Sequence, residues 1–310
     1  MTPASLRLGA LGAGAIFKRY EQAVDHAPDL ALEIVAVADP DPRARRAAAR
    51  PGRKVFPTAR ELLAEPLDAV LILTPNATHS ALVRASLERG LDVLCEKPLA
   101  TSAAAARSLC ALAAREGRLL YPAMHCRHRP EVRYLADHLD GEVVEFRQVY
   151  REDWRAAPAW YYQPAICGGG VLLDVGINQL DWLLPFVAPL SVAAAALTLD
   201  DQGVDVECAV TWRSGPGSSS TELSWRACPE DRRTEIRTTG GARFTLDHTV
   251  HCAWQDGRLH GPWRNDEYGS VLRDFAAQVR DPAARAPSDA PRLLELLREV
   301  YAHAGLDFLA

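Results

Sequence analysis

Residues 5–15, SLRLGALGAGA, leave this chain few folds to choose from. A short apolar strand passes into Gly12-Ala13-Gly14, and a helix-compatible segment runs from Ala15 to His26. Gly12 permits a tight turn. Gly14 lets a phosphate approach the backbone, where the first-turn N–H groups of Ala15 and Ile16 favour an anion. A full dinucleotide fingerprint, G-x-G-x-x-G, would carry a third glycine where Phe17 stands, and an acid at the end of the next strand. The acid is there: LEIVAVAD ends in Asp39, placed for a ribose diol. A glycine-rich turn in some other α/β domain is the competing reading, and Asp39 weighs against it.

The rest of the chain is compatible with that start. Its 310 residues suffice for two modest domains, each with its own core. The net charge of −5, without a long basic run, argues against a nucleic-acid surface. Seven cysteines without a C-x-x-C pair fit thiols in a reducing, cytoplasmic compartment. MTPASLRLGALG runs directly into the first strand, so no separable signal peptide is expected. Residues 182–199 are uncharged, at the lower limit for a membrane span, but Pro185 and Pro189 interrupt them. A helix ending near Leu184, a turn and a strand are expected there, and no membrane partner.

Up to residue 125, strands such as DAVLILTP (68–75) and DVLCE (92–96) alternate with helical segments ended by Gly90 and Gly117. This alternation predicts a doubly wound α/β dinucleotide-binding domain over residues 1–125. From 126 the texture changes. VDVECAVTW, STELSWRA, RRTEIRTT, ARFTLD and TVHCAWQ are short alternating strands, and helices near 267–280 and 289–303 close the chain. An α+β open-sheet domain over 126–310, serving substrate binding and oligomerisation, is expected. Its uncovered apolar face predicts a homodimer or homotetramer.

Four segments could carry chemistry. Thr74-Pro75-Asn76-Ala77-Thr78-His79 and Glu96-Lys97-Pro98 follow apolar strands, where α/β domains hold ligands. Thr74, Asn76, His79, Glu96 and Lys97 are therefore candidates for cofactor contact, and a strand end with a helix cap is the plainer reading of the first segment. Lys97 is placed to donate a proton or hydrogen bond to a substrate oxygen. Residues 124–130 form a cationic cluster containing His125. In GGGVLLDVGINQLD, helical spacing puts Asp174, Asn178 and Asp181 on one face, with pairing of Asp181 to an arginine as the plainer reading. His248 and His251 would fall on opposite faces of a strand, so no metal site is expected. Trp154, Trp160, Tyr161 and Tyr162 either stack on a sugar or pack beneath a cleft or subunit contact.

Taken in order, GALGAGAIF, VAVADPD, TPNATH, CEKPLA, residues 127–130, GGGVLLDVGINQLD and EYGSVLRDFAAQVR resemble the glucose–fructose oxidoreductase / inositol dehydrogenase / rhizopine-catabolism (Gfo/Idh/MocA) family. The resemblance implies a nucleotide domain, then an open-sheet domain, with substrate between them. It implies an NAD(P)-dependent oxidoreductase that moves a hydride to or from a hydroxyl or carbonyl carbon of a sugar, cyclitol or related polar substrate. It places Glu96 and Lys97 near nicotinamide and substrate, with Asp174 on substrate hydroxyls or on Lys97. One departure matters: the family's D-x-G-x-H-x-x-D has Asn178 at the histidine. Asparagine binds a hydroxyl but exchanges no proton near neutral pH. Either Lys97 alone carries proton transfer, or His125 substitutes, or catalysis is lost and the chain is a nucleotide-binding regulator. Asp39 predicts NAD over NADP, with Arg43, the nearest arginine, facing outward. A protonated Lys97 favours carbonyl reduction.

Overall fold

The computed structural model describes residues 4–187, 189–215 and 217–307. The chain divides into two compact units, Met1–Met124 with Asp266–Pro291, and His125–Asn265 with Arg292–Ala310.

In the first unit, β1 (Leu6–Leu11), β2 (Leu32–Ala38), β3 (Lys54–Phe56), β4 (Ala69–Ile72), β5 (Asp92–Glu96) and β6 (Leu120–Ala123) form one parallel sheet. Its order is β3-β2-β1-β4-β5-β6. Every residue of β4 and β5 is buried, as expected for strands covered on both faces. The order reverses beside β1, so the glycine turn after β1 lies at the switch point where such sheets bind ligands. Helix Ala15–His26 buries Phe17, Tyr20 and Ala23. Ser102 caps helix Ala103–Glu116 by accepting from the Ala105 N–H, and Gly117 ends it in the left-handed conformation.

Helix Glu267–Arg280 returns to this first unit. Its Val271, Leu272 and Phe275 join the core formed by Leu8, Tyr20 and Tyr121, and the Tyr121 hydroxyl donates to Asp274. The sequence reading gave all of 126–310 to the second domain. The amphipathic pattern of 267–280 shows that the helix packs on something, but not on what.

In the second unit, β7 (Val143–Asp153), β8 (Ser191–Leu199), β9 (Asp205–Arg213), β10 (Ser219–Ser224), β11 (Arg226–Thr238), β12 (Arg243–Asp247), β13 (Cys252–Gln255) and β14 (Arg258–His260) form a mixed sheet. The order is β14-β13-β12-β11-β7-β10-β9-β8, antiparallel except for β10 beside β7. β9 shows the logic of one covered face: Val206, Cys208, Val210 and Trp212 are buried, and Glu207, Ala209, Thr211 and Arg213 are exposed. The apolar segment Pro164–Val187 is long and apolar enough to cross a membrane, and 89% of its apolar window is buried within the fold. Its last helix runs to Val187, past the expected end near Leu184. Pro185 sits inside the last turn, where its missing N–H removes the backbone bond to residue 181.

Candidate active site

The candidate cofactor residues of the first unit are placed largely by backbone. Gly12 has φ +95°, and a Cβ there would lie 2.7 Å from the Leu73 carbonyl oxygen. Conformation and close approach both demand glycine. A Cβ on Gly14 would meet nothing within 4 Å, and the helix that begins at Ala15 has no side-chain cap on its first turn. An uncapped helix start beneath open space suits a pyrophosphate. Phe17, at the third glycine position, points into the core and is 2% exposed.

Asp39 closes the turn. One carboxylate oxygen accepts from the Ala13 N–H at 2.8 Å and the other from the Asp41 N–H at 2.8 Å. Lone pairs remain on both oxygens for ribose hydroxyls. The arginine held beside Asp39 is Arg45, not Arg43. Its Nη1 donates to the carbonyl oxygens of Asp39 at 2.8 Å and Pro40 at 3.0 Å. One helical turn beyond Asp41 brings Arg45 back over the strand end, a consequence of helix phase. The donor set therefore fits a dinucleotide: a glycine turn, an uncapped helix start and an acid at the end of β2.

His79 has a different place from the one expected. It is fully buried, its Nδ1 lies 2.7 Å from the Pro98 carbonyl oxygen, and its Nε2 lies 2.7 Å from the Thr74 carbonyl oxygen. Burial holds the imidazole below its ordinary pKa. His79 thus ties the loop after β4 to the loop after β5, and both ring nitrogens are engaged by protein. Thr74 and Thr78 share a hydroxyl contact at 2.6 Å in the same loop, beside buried Asn76.

The Glu96 carboxylate is buried and accepts from the Tyr20 hydroxyl at 2.8 Å and the Lys97 N–H at 3.2 Å. Burial, then the Glu96 charge, push the Tyr20 phenol far up, so it stays a donor. Tyr20 was not singled out from the sequence. Its signal is weak, one aromatic in the buried stripe of the first helix. Lys97 follows β5 directly and is half-buried.

In the second unit, the glycines of residues 168–170 lead into a π-helical turn, Leu172–Gly176, continuous with helix Ile177–Val187. This turn carries Asp174, and Asn178 follows in the first turn of the helix. Both are buried. Asn178 Nδ2 donates to the Asp174 carbonyl oxygen at 3.4 Å, while its buried Oδ1 has no donor among the described residues. Asp181 does pair with an arginine, since Arg127 Nε donates to its Oδ2 at 2.8 Å and Nη2 reaches its Oδ1. Arg129 donates to the Tyr150 hydroxyl at 2.8 Å. Two arginines of the cationic cluster are thus committed to protein partners. His125 opens the 3-10 turn His125–His128 directly after β6 and is half-buried.

Glu152, at the end of β7, also went unnoticed in the sequence. It is buried, accepts from Trp154 Nε1 and lies 3.0 Å from Arg232 Nε. Burial pushes its carboxyl up, and the nearby Asp174 charge adds to the push. Trp154, Trp160, Tyr161 and Tyr162 are half-exposed and cluster against one another and buried Trp225, with Trp160 and Tyr161 stacked at 4.0 Å. Packing accounts for their association.

His248 and His251 do not flank a strand. They lie in a turn, His251 has φ +52°, and the two Nδ1 atoms reach the two oxygens of buried Glu131 at 2.9 and 3.1 Å. The turn cancels the alternation that a strand would impose. His248 Nε2 is 3.0 Å from Thr234 Oγ1, so His248 and Glu131 form a buried polar network.

A doubly wound nucleotide-binding unit with a glycine turn and an acid, joined to an open mixed sheet, defines a two-domain dinucleotide-dependent oxidoreductase. Comparison with known proteins narrows the class. Residues 6–124 match the model of an oxidoreductase family with an NAD-binding Rossmann fold, and residues 133–243 match the Gfo/Idh/MocA C-terminal domain. The chain belongs to the Gfo/Idh/MocA family, and it is an NAD(P)-dependent oxidoreductase. It is 31% identical to a dTDP-3,4-didehydro-2,6-dideoxy-alpha-D-glucose 3-reductase of Streptomyces antibioticus, over 96% of this chain and 97% of that one. It is 35% identical to the rhizopine catabolism protein MocA of Rhizobium meliloti, over 92% of this chain and 88% of that one. A levoglucosan dehydrogenase solved with NADH and levoglucosan has the same fold, with a TM-score of 0.85 at 20% identity over 97% of each chain.

Proposed function

We propose that this protein is an NAD(H)-preferring dehydrogenase or reductase of a polyhydroxylated ring, a sugar or cyclitol. The observation that carries the substrate class is Asn178 Oδ1, a buried acceptor with no donor among the described residues, on the helix that also holds Asp174. Leaving a buried acceptor unpaired costs on the order of 1–3 kcal/mol, which a bound hydroxyl recovers. Asp174, also buried, places a carboxyl group one turn before Asn178. A surface that takes several donors suits a polyol. The relatives favour the same class, one named as a reductase of a keto-deoxysugar nucleotide and another as an inositol 2-dehydrogenase.

When bound, the nicotinamide supplies the hydride chemistry. The residues supply the rest: Lys97 moves the proton at the substrate oxygen, Asp174 orients the substrate, and Asn178 holds a neighbouring hydroxyl without titrating. Because a protonated lysine is a ready donor, carbonyl reduction is the favoured direction. Asp39 selects NAD, since its carboxylate repels a 2′-phosphate.

The test is Lys97→Ala assayed with NAD⁺ against myo-inositol, levoglucosan and D-glucose, and in reverse with NADH and the matching ketones. Turnover should fall by about 10³-fold, with NADH affinity by fluorescence titration unchanged. Wild-type turnover in the variant rejects the assignment.

The second-unit sheet is proposed to pair with that of another copy. Its open face is not the broad apolar surface expected. Around a groove of about 440 Å³ it sets Ala196 and Ala209 among Arg151, Glu207 and Glu222, and Glu222 already bonds Arg147 and Arg151. Small residues ringed by both charge signs suit a self-complementary contact. Light scattering that gives a monomer mass at micromolar concentration refutes it.

A further inference from the structure

We propose that Asp205, at the start of β9, is the positioning residue that sets the helical segment carrying Asp174 and Asn178. The inference rests on the functional reading above only for its catalytic consequence.

Asp205 is fully buried. Its Oδ1 accepts from the Gly170 N–H at 2.6 Å and the Tyr301 hydroxyl at 2.8 Å, and its Oδ2 accepts from the Leu172 N–H at 2.8 Å. Three donors thus converge on two oxygens. Gly170 then passes the constraint on, because its own carbonyl accepts the Asp174 N–H at 2.9 Å. Asp174 in turn accepts from Asn178 through its backbone carbonyl. The chain of contacts from Asp205 through Gly170 and Asp174 to Asn178 has no flexible side chain before its last member. Contact is also enforced sterically, since a Cβ on Gly170 would lie 1.8 Å from the Asp205 carbonyl oxygen. That is why this glycine cannot be replaced, whatever ligand binds nearby.

Only a carboxylate matches the site. A carboxylic acid or an amide would bring a hydrogen of its own against donors already in place. Burial pushes the Asp205 carboxyl up to about 6, against the hydrogen bonds that lower it. It is therefore ionised at neutral pH. The titratable groups near it are Tyr301 on the last helix, Cys208 on β9 and Cys167 before the glycines. Burial pushes all three up, so they stay neutral beside it.

The experiment is backbone hydrogen exchange on the full chain, with Asp205→Asn as the variant. An amide can keep at most two of the three donors satisfied. Exchange at Gly170, Leu172 and Asp174 should accelerate about 10- to 100-fold, while β8, β9 and β10 keep wild-type protection. Unchanged exchange at those amides overturns the proposal. So does loss of protection across the whole sheet, which would make Asp205 a general stabiliser. Turnover on the polyol panel should fall about 10- to 100-fold with NADH affinity retained. Accelerated exchange with turnover intact would overturn the link to Asp174. The exchange readout needs no substrate. A wild-type chain inactive on every polyol, but with exchange responding as stated, sinks the functional reading and leaves the positioning role standing. If Asp205→Asn does not fold, Tyr301→Phe decides. Removing the hydroxyl raises the Asp205 pKa, so protection at Gly170 and Leu172 should fail at a higher pH than in wild type, and an unshifted profile overturns the proposal.

Discussion

The two units hold their functional residues in opposite ways. In the first, the candidate cofactor groups lie at strand ends and backbone contacts hold most of them, with the Tyr20–Glu96 bond the long-range exception. Gly12 abuts Leu73, Asp39 accepts from Ala13 and Asp41, and Lys97 follows β5 directly. In the second, Asp174 and Asn178 depend on partners far along the chain. Asp205 reaches the glycine turn across 35 residues, Tyr301 reaches Asp205 across 96, and Arg127 reaches Asp181 across 54. A site built on a parallel sheet inherits its geometry from the sheet. A site built on a helix start must be pinned from outside, because the first-turn N–H groups have no partner within the helix.

The largest effect that would sharpen this contrast is in the cofactor unit. Asp39→Ser removes the negative charge and should shift the NADH-to-NADPH affinity ratio by about 100-fold toward NADPH, read by fluorescence titration of both. The effect should be local, because Arg45 remains beside the Asp39 carbonyl and the sheet is unaltered. Loss of polyol turnover with saturating cofactor would break the contrast, since it would show the cofactor unit setting substrate geometry as well.

A smaller effect belongs to the second unit. His248 is held below its ordinary pKa by burial, despite Glu131. Burial raises Glu131, but His248 and His251 outweigh it and the net direction is down. A histidine with a lowered folded pKa takes up its proton more readily when unfolded, so its stability is lost as pH falls below about 6.5. The depressed carboxylate loses its contribution in the same direction, at lower pH. Asp205 acts in the opposite sense, because its folded pKa of about 6 lets the native state bind a proton first. In thermal melts at pH 7 and pH 5, His248 should contribute a drop in Tm in acid and Asp205 a rise. His248→Asn should shrink that drop by about 2–4 °C. An identical drop in the variant would assign the acid sensitivity elsewhere.

The sequence by itself determined the parallel sheet of the first unit and nominated the candidate residues. Apolar runs of strand length, glycine stops and the acid after the second strand are local signals, and local chemistry produces them. Helix Ala15–His26 and strand Asp92–Glu96 fall where the pattern put them. The family resemblance followed from the same short segments. Tertiary structure alone decided what those residues face. Helix 267–280 joins the first unit because Phe275 fits its core, a fact no amphipathic pattern contains. His79 ties two loops together, because residues five and nineteen positions away bring their carbonyls to its ring. His248 and His251 meet on one carboxylate because the chain turns where an alternating pattern reads as strand. Asp205 looks like any acid at a strand start until Gly170 and Leu172 arrive against it. Periodicity records whether a side chain is inside or outside. Hydrogen bonds depend on direction and distance between segments, and only the packed chain fixes those.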